Sequence, residues 1–82
     1  MPDVTIANHA FNPAEQPVRA GETVTWTNVE DGVPHTVTSD TRLWDSGVID
    51  PGSTFSRVFP APGTFRYHCD IHPDMKGAIL VT

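Results

Sequence analysis

Eight prolines and six glycines cut this 82-residue chain into short segments. The segments are rich in Val, Thr, Ile and aromatics. Turn signals recur at roughly the 8–12 residue spacing of an all-β sandwich or barrel. No helical periodicity runs longer than about a turn, and no repeat, linker or low-complexity run is present. One domain covering residues 1–82 is expected.

Strands are expected at Asp3 to Ala7, near Gln16 to Arg19, and at Glu22 to Asn28, His35 to Ser39, Ser53 to Phe59, Thr64 to Cys69 and Lys76 to Val81. In the first, Val4 and Ile6 alternate with polar or small neighbours, and Phe11-Asn12-Pro13 breaks it. In the third, Val24 and Trp26 share a face, and Trp26 is the expected centre of the core. Asp40 to Gly52 reads as a covering loop or one helical turn. Phe55, Arg57 and Phe59 share a parity, so Arg57 predicts a bulge or a change of face.

Composition narrows the function. A chain of this length buries a modest core and often needs a staple. One cysteine cannot close an intrachain disulfide, so that staple would be a metal. Ten acidic against five basic side chains give a net charge of −5. This argues against a nucleic-acid partner and favours a basic one. No apolar run approaches the roughly 18 residues of a membrane span. Met1-Pro2-Asp3 lacks the basic and apolar regions of a signal peptide.

The chemistry concentrates in Tyr67-His68-Cys69-Asp70-Ile71-His72-Pro73-Asp74-Met75. Thiolate, imidazole and thioether suit copper better than calcium or magnesium, and two histidines, one cysteine and a weak axial methionine form a type-1 (blue) copper site. Cys69, His72 and Met75 supply three of those four, and His35 is the best candidate for the fourth. Strand parity puts Phe65, Tyr67 and Cys69 on the inward face and turns His68 outward, which makes it a poor ligand. His9 has no soft neighbour and reads as a surface residue. Pro73 fixes its own backbone angle and restricts His72, so the loop is stiff.

The spacing C-x2-H-x2-M resembles the ligand loop of the cupredoxins, and within them the amicyanin subgroup; the plastocyanin-like members resemble it with a longer step from histidine to methionine. The likeness extends over Gly21 to Asn28, Pro34-His35-Thr36-Val37, Ser46-Gly47, Pro51-Gly52-Ser53 and Pro62 to Cys69. It implies a Greek-key β-sandwich of about eight strands with one copper at one end. His35 and His72 would be equatorial imidazoles, Cys69 the thiolate and Met75 the axial thioether. The edge of His72 would be the electron's way out, framed by an apolar patch of Val33, Pro34, Ile71 and Pro73. Family members often carry Asn after the first histidine. Here Thr36 would have to tie the ligand loops with its hydroxyl. The resemblance also implies a periplasmic or otherwise extracytoplasmic location.

The leading reading is a soluble one-electron carrier, not an enzyme, passing electrons between redox proteins such as a basic cytochrome or a copper enzyme. Four protein ligands leave no open position for chemistry. Glu30, Asp31, Asp70 and Asp74 could form an acidic rim around the apolar patch. A monomer is the default. The competing readings are a copper chaperone or store, the electron-entry domain of a larger copper enzyme, a cysteine nucleophile with His72 or His35 as base, and a zinc site.

Overall fold

The computed structural model describes residues 2–82. Its strands are β1 (Asp3–Ala7), β2 (Ala10–Asn12), β3 (Glu15–Val18), β4 (Glu22–Asn28), β5 (Thr38–Ser39), β6 (Thr54–Phe59), β7 (Gly63–His68) and β8 (Lys76–Val81). They form two four-stranded sheets, ordered β2-β1-β4-β6 and β3-β8-β7-β5. β1 runs parallel to β4 and β3 parallel to β8; the other pairs are antiparallel. The non-consecutive neighbours are the crossovers of a Greek-key sandwich. Among the described residues no helix is long and apolar enough to cross a membrane.

Alternation along the strands builds the core. Val4 and Ile6 of β1, Val24 and Trp26 of β4, and Ile79 and Val81 of β8 are buried. Trp26 sits at the centre, as its strand parity predicted. Its ring centroid lies 5.5 Å from those of Tyr67 and Phe55 and 6.2 Å from that of Phe59. Such aromatic pairs contribute about 0.5–1.5 kcal/mol beyond their buried area. Burial pushes the Tyr67 phenol up to about 12.

Three expectations need correction. A strand that the sequence pattern does not announce, β2, pairs back on β1 through a two-residue turn at Asn8-His9. The expected strand His35 to Ser39 shrinks to Thr38–Ser39 because other groups occupy the would-be ladder positions. The Thr36 amide turns to the Cys69 sulfur, and the Val37 amide donates to the Ser46 hydroxyl. Side-chain acceptors of this kind compete with sheet pairing. Finally, β6 has neither bulge nor face change, since its register with β4 runs unbroken from Glu22↔Phe59 to Thr27↔Thr54. Arg57 stays on the aromatic side by laying its guanidinium 4.7 Å from the Trp44 ring centroid and 4.9 Å from that of Phe59. That contact is worth about 0.5–2 kcal/mol, enough to hold a cation with a long apolar stem there.

The segment between β5 and β6 is a covering loop. It carries buried Trp44 into the core and is pinned by isolated bridges Thr38↔Asp45 and His35↔Ile49. Tyr67 and Gly77 are opposite partners on β7 and β8, and the phenol ring lies over the glycine. A Cβ at Gly77 would stand 2.5 Å from the ring. Gly77→Ala is therefore expected to destabilise the protein by about 1–3 kcal/mol, the usual cost of overpacking. A urea midpoint equal to that of the parent would show that the ring shifts without cost.

Candidate metal centre

The site lies where two loops meet beyond the ends of the strands. One follows β4 and carries Glu30 to Thr36. The other joins β7 to β8 and carries Cys69 to Met75. Asn28, fully buried at the end of β4, shapes the first. Its side-chain amide donates to the Val33 and Ile49 carbonyls, both at 2.9 Å, and its carbonyl accepts from the Glu30 amide at 3.0 Å. Backbone bonds to Ile49 hold His35 in place. In the second loop the Met75 amide donates to the His72 carbonyl at 2.9 Å, and the Cys69 amide donates to the Met75 carbonyl at 3.1 Å. Those two bonds close the loop into a tight turn.

Potential ligand atoms of His35, Cys69 and His72 all lie within 4.8 Å of one another. The Cys69 sulfur is 3.7 Å from His35 Nδ1 and 3.8 Å from His72 Nδ1. Cys69 and His35 are fully buried and His72 half-buried. Met75 is buried at the end of the same turn. One thiol and two imidazoles, all turned to one point at the edge of an apolar core, form a soft-to-borderline donor set that fits copper or zinc and suits neither calcium nor magnesium. His68 faces away from this point, as parity predicted.

The surrounding hydrogen bonds orient these donors. Glu30 Oε1 lies 2.8 Å from His35 Nε2. A carboxylate only accepts, so Nε2 carries the proton and Nδ1 presents its lone pair toward the sulfur. The His9 amide first, then the His35 imidazole, hold the Glu30 carboxyl below its ordinary range. The Thr36 amide donates to the Cys69 sulfur at 3.3 Å, and the Thr36 hydroxyl accepts from the Asp70 amide at 2.8 Å. Thr36 thus ties the two loops together with its hydroxyl. On the outer side, His68 stands between Asp40 at 2.6 Å and Asp70 at 2.9 Å. Those carboxylates, Asp40 foremost, raise the His68 imidazole above its ordinary value. Asp70 also accepts from the Thr38 hydroxyl.

One sequence expectation changes here. The four acids do not form a common rim. Glu30 is turned inward onto two histidines, while Asp31, Asp70 and Asp74 are exposed, Asp70 also meeting His68 and Thr38. His9 lies at the surface, as expected. Its side chain is 55% exposed, yet its ring stands edge-on to His72 with centroids 4.7 Å apart. Position five residues ahead of His35 in the same turn was the one sequence signal for Glu30. No signal marks His9, because the β1–β2 hairpin leaves none in the letters. Val33 and Pro34 are half-buried beside His35, and Ile71 and Pro73 are exposed on either side of His72.

The Thr36 tie has a measurable weight. Thr36→Val keeps the shape and removes the acceptor, which strands the Asp70 amide. A loss of about 1–3 kcal/mol in urea unfolding is expected, with Thr36→Ser close to the parent. Equal stability of all three proteins would show that water replaces the hydroxyl at no cost.

Comparison with known proteins agrees with this geometry. A family model described as a cupredoxin-like domain matches residues 2–81. Amicyanin-alpha of Methylorubrum extorquens is 37% identical over 84 residues, covering 96% of this chain and 70% of that protein. Plastocyanin of Scenedesmus fuscus is 36% identical over 84 residues, covering 87% of this chain and 85% of that protein. Among solved structures, a purple cupredoxin from Nitrosopumilus maritimus superposes with a TM-score of 0.93 at 29% identity, with full coverage of both chains. With the sandwich, the ligand loop and nearly its whole length matched, the chain belongs to the cupredoxin-like family.

Proposed function

We propose that this protein is a blue copper electron carrier in which His35, Cys69, His72 and Met75 hold one copper ion. The observation that carries this reading is the convergence of both histidine Nδ1 atoms on the buried Cys69 sulfur. Its likeness to amicyanin and plastocyanin supports the same reading. Copper bound there supplies a one-electron couple between Cu(II) and Cu(I).

The chain's own residues do the rest. Glu30 fixes the His35 tautomer, and the Thr36 amide gives the sulfur a hydrogen bond that would steady a copper-bound thiolate. The buried surroundings of Cys69 keep water away, and the closed turn from Cys69 to Met75 limits how far its donors move as charge changes. Four protein donors leave no open coordination position, which favours a carrier over an enzyme. A store or chaperone is disfavoured by one cysteine on a braced loop.

Electron transfer would run through the half-buried His72, with Val33, Pro34, Ile71 and Pro73 as the docking patch. Other redox proteins are the partners in this reading, and an extracytoplasmic location follows from the likeness to amicyanin. The net charge of −5 favours a basic partner. Association with a basic redox protein should slow as salt is raised, since screening removes the steering. An association rate that is flat or rises with salt would remove charge from the account of docking.

The deciding experiment is a visible absorption spectrum after addition of Cu(II), taken beside Cys69→Ala. An intense thiolate-to-copper band near ~600 nm, lost in the variant, is expected from this ligand set. A colourless protein that holds zinc tightly would overturn the carrier reading.

A further inference from the structure

We infer that His9 is a positioning residue, held by Glu30 and seated against His72 so that the His72 ring stays turned toward the metal. The inference rests on the reading of His72 as a copper ligand.

The turn that presents His9 has an unusual make-up. Asn8 and His9 have φ of 52° and 55°, and they link the paired residues Ala7 and Ala10. Positive φ at both central residues is the type I′ hairpin turn, whose preferred sequence is Asn-Gly. Asn and His visit this region more readily than most residues, but glycine does so without a Cβ penalty. The chain therefore carries a bulky ring where glycine would suit the turn better, and a residue kept in such a conformation points to use of its side chain.

The ring is also anchored. The His9 amide donates to Glu30 Oε1, and His9 Nδ1 lies 3.0 Å from Glu30 Oε2. The same carboxylate holds His35 Nε2 at 2.8 Å. One acid thus fixes the first imidazole directly and the second through His9. His72 itself is half-buried, follows exposed Ile71 and precedes exposed Pro73. Its ring stands beside two others, His35 at 5.0 Å and His9 at 4.7 Å between centroids. His35 is committed to the site by Glu30 and its bridge to Ile49. His9 is therefore the side chain that braces His72 from outside.

The test uses His9→Gly and His9→Phe. The glycine variant gives the turn its preferred Asn-Gly pair, removes the ring and relieves the backbone, so it should fold at least as stably as the parent. It should nevertheless lose copper to a chelator about 2- to 10-fold faster, the range set by one edge-to-face aromatic contact. In the metal-free protein its His72 ring should become more mobile by carbon relaxation. His9→Phe retains a ring edge but loses the Nδ1 contact with Glu30, so it should fall between the parent and the glycine variant in both measurements. Parental copper release and parental His72 order in the glycine variant would overturn the proposal. If the parent shows no blue band, the ligand reading fails, and His72 order in the metal-free proteins still decides whether His9 holds that ring.

Discussion

The tie that Thr36 makes between two loops is the constraint on which the site depends. Thr36 directly follows His35, and its amide and hydroxyl reach the Cys69 sulfur and the Asp70 amide. These groups are 33 and 34 residues away along the chain, so nothing local holds the loops in register. The amide that bonds sulfur is withdrawn from the sheet, which is why β5 is only two residues long. A short strand is thus the structural cost of aiming a backbone donor at a thiol.

Behind the loops, the aromatic core makes this placement rigid. Trp26 packs against Tyr67, and Tyr67 precedes Cys69 by two residues on the same inward face. The position of the sulfur therefore follows from that of the ring. Tyr67 in turn lies over Gly77 on β8, which runs on from the Met75 end of the ligand loop. Arg57 closes the same core by lying on Trp44 and Phe59. The core thus positions the loop at both of its ends, and Glu30 braces the opposite loop through His35.

Much of this was legible in the letters. Alternation in Asp3 to Ala7 and Glu22 to Asn28 gave the correct faces, because a half-buried strand has a period of two. Parity from Phe65 to Cys69 correctly separated Cys69 from His68 for the same reason. Arg57 misled because parity says only which way a residue points, and a guanidinium can satisfy an aromatic environment that a carboxylate could not. His35 to Ser39 misled because β propensity is blind to a side-chain hydroxyl or thiol that takes the ladder's amides.

Sequence by itself determined the class of fold and marked out Cys69, His72 and His35, which the fold brings together. Strand period, turn residues and the spacing from Cys69 to His72 to Met75 are local properties, written within a few residues. Tertiary structure alone decided how those donors are held. Glu30 leaves the expected rim for His35, His9 crosses from a hairpin to stand on His72, and Thr36 bonds a loop distant in sequence. Each of these is a contact between segments that only the packing of two sheets brings together, and hydrogen-bond partners at such separations leave no periodic mark on a chain.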